Sequence, residues 1–204
     1  MFVTIQKLVN ELVSNFDSIS LERKLVLEKL SIYIQQKVDS KSEISLVYIC
    51  THNSRRSIFG QIAASVAAEY YTINNVKTFS GGTEATEFNQ NAINALIALG
   101  FKISTSTPLA NLIYNVNFSG DDFVVCFSKL YDHHKNPFKN FAAVITCSDA
   151  EQNCPFVLGA EIRVATTYQD PKILDGLALQ NQTYIERFKQ IATETLYVFS
   201  LLKS

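Results

Sequence analysis

From Ser45 onward the chain alternates short apolar runs with segments of helical periodicity, and this alternation most narrows what it can fold into. Ser45 to Cys50, Val76 to Ser80, Phe141 to Cys147 and Glu161 to Thr167 read as strands. Helical patterns lie at 58 to 71, at Asn89 to Leu99 with Gly100 as its C-terminal stop, and at Asn181 to Leu202. Strands separated by helices in this rhythm are βαβ units, which imply an α/β protein with a parallel sheet. Leu112 to Phe118 and Phe123 to Leu130 flank Ser-Gly-Asp-Asp, a turn signal, and predict an added antiparallel β-hairpin at one edge of that sheet.

The first 43 residues have a different pattern. Ile5, Leu8, Val9, Leu12, Val13 and Phe16 recur at the spacing of one helix face, and Ser20 is placed to cap a second helix to about Gln36. We therefore divide the chain into an N-terminal helical hairpin, residues 1 to 43, and an α/β domain, residues 44 to 204. With 47% hydrophobic and 18% charged residues the composition is that of a packed globular protein. A net charge of -1 argues against broad nucleic-acid binding but leaves room for a local anion site. No window approaches the roughly 18 apolar residues of a membrane helix, and the N-terminus lacks a leader pattern, so no membrane association and a cytoplasmic location are expected. Four cysteines, Cys50, Cys126, Cys147 and Cys154, are too few for a secreted disulfide scaffold.

Cys50-Thr-His-Asn-Ser-Arg-Arg-Ser57 lies between a strand and a helix, at the carboxyl end of the strand, where open α/β sheets bind ligands. A loop leading into a helix at that place aims backbone N-H groups at one point, which favours an anion and stabilises a thiolate. Arg56 supplies a planar donor fork for a phosphate-like oxyanion, Ser57 is placed to hydrogen-bond the Cys50 sulfur, and Asn53 to hold the loop. The competing reading, a buried cysteine with an exposed arginine nearby, needs strand, spacing and helix to coincide by accident. Asp170-Pro171 follows the last strand and offers a general acid on a loop stiffened by proline.

Cys147-Ser-Asp-Ala-Glu-Gln-Asn-Cys154-Pro155 starts where another strand ends, which puts it on the same side of the sheet as Cys50. Its six-residue gap and the lack of a second ligand pair argue against zinc, and His133 and His134 read as a solvated loop pair. Two thiols near a third suit sequential thiol-disulfide exchange, with Cys147 resolving a bond to Cys50 and Cys154 resolving Cys147. Cys126, between Val125 and Phe127, reads as core.

These motifs, with Ser80-Gly-Gly-Thr-Glu84, resemble the low-molecular-weight tyrosine phosphatase superfamily, specifically its thioredoxin-coupled arsenate reductase branch, over residues 45 to 203. The resemblance implies a three-layer fold whose four-stranded parallel sheet has the order 2-1-3-4. It implies Cys50 as nucleophile, Asp170 as acid, and residues Thr51, His52, Asn53, Ser54, Arg55, Arg56 and Ser57 as the oxyanion loop. It also implies arsenate reduction: Cys147 expels arsenite by bonding to Cys50, and a Cys147-Cys154 disulfide is left for thioredoxin, with no metal or other cofactor. The alternative is hydrolysis of phosphotyrosine or an aryl phosphate through a cysteinyl-phosphate. Three departures stand out: His52 replaces the usual glycine, and Gln61 and Leu109 replace acids that bind potassium in some members. The N-terminal helices and the hairpin are additions to the minimal domain, with extra core the preferred explanation and a homodimer or partner surface the other.

Overall fold

The computed structural model describes residues 1–105, 112–120, 123–153 and 156–203. Helices α1 (Val3–Val13) and α2 (Leu21–Asp39) lead into strand β1 (Ile44–Cys50), helix α3 (Arg56–Tyr70), β2 (Val76–Gly82) and α4 (Gln90–Ala98). Strands β3 (Lys102–Thr105), β4 (Tyr114–Asn117) and β5 (Phe123–Cys126) follow. The chain ends with β6 (Phe141–Ile145), α5 (Ser148–Asn153), β7 (Ala160–Ala165) and α6 (Gln180–Ser200).

The main sheet has four parallel strands in the order β2-β1-β6-β7, which in sequence order of the parallel strands is 2-1-3-4. All seven residues of central β1 are buried, which is why it reads as an unbroken apolar run. Side chains alternate across the sheet with the period of two. Leu46, Tyr48, Ala142, Val144 and Val164 join the large core shared with α1, α2, α3, α4 and α6. Val47, Ile49, Ala143 and Ile145 face the other way, and cluster with Cys50 at the strand end, Cys147, Ala150 of α5 and Val157. The architecture is a three-layer α/β fold with an N-terminal helical hairpin and an added antiparallel hairpin.

That hairpin, β4 and β5, is joined by β3 into a separate three-stranded antiparallel sheet. The segment after β5 meets the main sheet at Gly82, which bridges to Leu130. Sequence pattern predicts the hairpin but not β3, whose residues are exposed or half-buried and carry no apolar alternation.

The helix ends follow their caps. Ser20 Oγ accepts the Arg23 N-H at 3.2 Å and starts α2, while Asn89 Oδ1 accepts from Asn91 N at 3.0 Å and Ala92 N at 3.2 Å and starts α4. Gly100, with φ of 100°, ends α4: Phe101 N bonds to Leu96 O at 3.1 Å and Gly100 N to Ile97 O at 3.0 Å, the paired bonds of a Schellman motif.

The N-terminal helices do not sit apart. Ile5, Leu8, Leu27, Leu30 and Ile34 belong to the same core as Phe59 of α3 and Phe188 of α6. Phe188 stacks edge-on against both Phe59 and Phe101, with ring centroids 5.3 Å apart in each case. Among the described residues no helix is long and apolar enough to cross a membrane.

Candidate active site

Cys50 is the last residue of β1, only 4% exposed, and the loop 51–55 carries the chain from it into α3. Among the described residues no side chain caps the first turn of α3, so its N-terminal end keeps donors that a local anion can use. Asn53, fully buried and at φ 45°, holds the loop's turn. Its Oδ1 accepts the Lys129 N-H at 2.9 Å, and its Nδ2 donates to Ser57 Oγ at 2.9 Å. Ser57 Oγ lies 3.0 Å from Cys50 Sγ. Because Asn53 already donates to the serine oxygen, the serine's own proton is left for the sulfur, an arrangement that stabilises a thiolate.

The loop is braced from β2. Thr83 N bonds to Cys50 O at 3.1 Å and Glu84 N to Thr51 O at 2.8 Å. This approach requires glycine at position 82, where a Cβ would lie 2.3 Å from Glu84 O and 2.6 Å from Thr51 O. His52, half-exposed, turns outward: its Nε2 is 3.4 Å from Glu84 Oε2, and its carbonyl accepts from Ser128 Oγ at 2.9 Å and Thr86 Oγ1 at 3.2 Å. The extra side chain therefore ties the loop to the β2 exit instead of crowding the sulfur. Ser54, also buried, accepts the Asn89 N-H at its carbonyl, 3.0 Å away, and so fixes the loop to α4.

Asp170 arrives from the loop after β7 and meets both arginines. Arg56 Nη2 lies 2.6 Å from Asp170 Oδ2, and Arg55 Nε 3.0 Å from Asp170 Oδ1. Arg56 Nη1 also donates to the Tyr168 carbonyl at 2.8 Å, while buried Arg56 Nε has no hydrogen-bond partner among the described residues. Asp170 additionally caps the 3-10 turn Pro171–Leu174 by accepting the Lys172 N-H at 3.0 Å. A cavity of about 300 Å³ borders the loop between His52, Arg55, Thr86 and Lys172.

Cys147 is fully buried just beyond β6, with its sulfur 3.4 Å from Thr51 Oγ1 and 3.4 Å from the Ala150 N-H at the start of α5. Cys50, the loop 51–57, Asp170 and Cys147 therefore lie together at one end of the sheet. Cys154 and Leu109 lie outside the described residues. Cys126 lies apart in the large core, where burial pushes its thiol up to about 12. Gln61 is spent on structure: its Nε2 donates to Thr78 O and Val125 O, both at 3.2 Å, and its Oε1 accepts from Ser80 Oγ at 2.7 Å. Among the described residues no cluster of His, Cys, Asp and Glu is arranged to hold a metal ion.

One contributor escapes sequence reading. Glu194 of α6 pairs with Arg23 of α2 at 2.8 Å and accepts the Tyr168 hydroxyl at 2.8 Å. The Arg23 guanidinium lies 4.8 Å over the Tyr168 ring. Burial and the adjacent Glu194 carboxylate push the Tyr168 phenol well up, so it stays a neutral donor. The strut fixes the segment that carries Asp170, and no local motif announces it.

No family model and no curated protein matches the sequence. Solved structures do resemble it. A low-molecular-weight phosphotyrosine phosphatase from Vibrio cholerae O395 is 15% identical, with 77% of this chain and 94% of that one covered and a TM-score of 0.49. The Bacillus subtilis YwlE mutant is 12% identical over 79% of this chain and 100% of that one, at a TM-score of 0.48. A thioredoxin-dependent arsenate reductase from Corynebacterium glutamicum is 17% identical over 92% of each chain, at a TM-score of 0.39. At these levels of likeness the functional reading rests on the geometry of this chain's own residues.

Proposed function

We propose that the protein is a cysteine-dependent phosphomonoester hydrolase acting on an aryl phosphate such as phosphotyrosine. The observation that carries the reading is the chain Asn53-Ser57-Cys50, which directs a hydroxyl proton at a buried sulfur within reach of a helix N-terminus and two arginines. The Cys50 thiolate attacks phosphorus as the bond to the aryl oxygen breaks. The leaving oxygen takes a proton from the Asp170 carboxyl. Water then attacks the cysteinyl-phosphate, giving its proton to the Asp170 carboxylate, and phosphate leaves with the Cys50 thiolate restored. Arg56 and the loop N-H groups stabilise the charge spread over the equatorial oxygens. Arg56 now holds Asp170 Oδ2; gripping a substrate oxyanion loosens that contact and releases the carboxyl for proton transfer.

The test is hydrolysis of an aryl phosphate by the purified protein. Turnover that Cys50→Ser abolishes and that Cys147→Ser preserves is the expected result, and no turnover above the buffer rate would refute it.

A second reading, thioredoxin-coupled arsenate reduction, is favoured by one observation, the buried Cys147 sulfur against Thr51 of the loop. It predicts no arsenite release in Cys147→Ser, where no thiol expels it, and release that stops at a single turnover in Cys154→Ser. The phosphatase reading needs neither thiol.

A further inference from the structure

A second cavity, of about 700 Å³, opens between β2, the β4-β5 sheet and the segment 127–135, away from the Cys50 sulfur. Its walls combine an apolar side, with Phe79, Phe123, Val125 and Phe127, and a polar side that includes Gln61, Ser65 and Thr78. Phe123 and Val125 are 53% and 43% exposed, so apolar surface stands open there instead of closing into core. Every titratable group that lines it is basic: Lys77, Lys129, His133, His134 and Lys135. Lys77 is already paired with Glu43, at 2.6 Å.

Lys129 is the telling residue. It is 4% exposed, and among the described residues its ammonium shows no salt bridge or hydrogen bond; it meets the Phe127 ring, with its centroid 4.5 Å away, and interacts electrostatically with buried Cys126. Burying a cation costs free energy that an opposite charge recovers, so such a group is ready for an anionic partner. Burial draws its amine down to about 8. His133, whose ring lies 5.5 Å from Phe127 and 4.1 Å from His134, is drawn down by burial and then by the positive charges of His134, Lys129 and Lys135. The cavity is thus a positively charged recess with aromatic sides and a volume usual for a small-molecule site.

We propose that this cavity binds a small aromatic carboxylate, its carboxylate on the Lys129 ammonium and its ring between Phe123 and Phe127. A free phosphate is too small and too polar for these walls, and a neutral aromatic leaves the buried ammonium unpaired. The site is separate from the oxyanion loop, although the two meet through the backbone: the Lys129 N-H is the donor to Asn53 Oδ1, and the Lys129 carbonyl accepts the Gly82 N-H at 2.9 Å.

Isothermal titration of the full chain with naphthalene-2-carboxylate and with the neutral naphthalene-2-methanol tests the proposal, with orthovanadate added to fill the Cys50 loop. Expected is saturable binding of the carboxylate at one site per chain, unaffected by orthovanadate, with the alcohol about tenfold weaker. Lys129→Met is expected to lower carboxylate affinity about tenfold and to leave the alcohol unchanged. If that variant does not fold, Phe123→Asp, at an exposed wall position, is expected to weaken the carboxylate by charge repulsion and lost ring contact. Equal affinity for carboxylate and alcohol, displacement by orthovanadate, undiminished binding to the variant, or no saturable binding at millimolar concentration would each overturn it.

Discussion

Ser57 has one proton to give, and Asn53 determines where it goes. The Asn53 amide donates to Ser57 Oγ at 2.9 Å, so the hydroxyl proton is available to the Cys50 sulfur 3.0 Å away. Ser57→Ala removes a donor to the thiolate and is expected to lower kcat for an aryl phosphate by about 100-fold, as loss of one preorganised donor does elsewhere. In the proposed reaction Asp170 acts at the other side of the bond. Asp170→Asn is expected to lower kcat by about 100-fold or more for phenyl phosphate and far less for p-nitrophenyl phosphate, whose leaving group needs little protonation. Steady-state kinetics on the two substrates check this, and equal losses on both would refute the acid role. Lys129 gives a prediction about stability. Its amine is drawn down to about 8 from an unfolded value near 10.4, so between those pH values the unfolded chain binds more protons than the folded one. The Lys129 contribution to stability therefore rises with pH from about 8 to about 10.4. Urea unfolding of wild type and Lys129→Met should show the variant's advantage greatest below pH 8 and shrinking above it.

At the scale of elements, the decisive placements are β1 running into the anion loop and β2 ending against it. Gly82 permits that contact, since any Cβ there would collide with the Glu84 and Thr51 carbonyls. Gly82→Ala is expected to push the loop out of place and to depress activity more than stability, measured by turnover and urea midpoint on the same preparation. The loop of the candidate site was legible because its chemistry is contiguous: Cys50 to Ser57 is a single run between an apolar strand and a helix, and local spacing carries the signal. Strand β3 was not legible, because Lys102 to Thr105 pairs through its backbone while its side chains stay mostly in solvent. The short helix α5 leaves no helical periodicity in the sequence for the same reason: Ser148 to Asn153 holds a single buried apolar residue, Ala150, among its described side chains.

At the scale of the whole molecule, the N-terminal helices share the core and also reach toward the site. Arg23 and Glu194 stand 171 positions apart in sequence, yet their ion pair holds the Tyr168 hydroxyl, and Tyr168 O holds Arg56. Contacts at that separation leave no periodicity behind, which is why Arg23, Glu194 and Lys129 were invisible while Cys50, Arg56 and Asp170 were not. Arg23→Met is expected to lower kcat about 10- to 100-fold by loosening the Asp170 segment while the rate of Cys50 alkylation by iodoacetamide stays unchanged. A variant that loses both together would point to general unfolding instead. The central claim, that Cys50 attacks phosphorus, is tested most directly by acid-quenching Asp170→Asn during turnover of an aryl phosphate and analysing the intact protein and its peptides by mass spectrometry. The account predicts one added phosphoryl group on the peptide that carries Cys50 and none in a Cys50→Ser background. Turnover without any phosphorylated Cys50 peptide would contradict it.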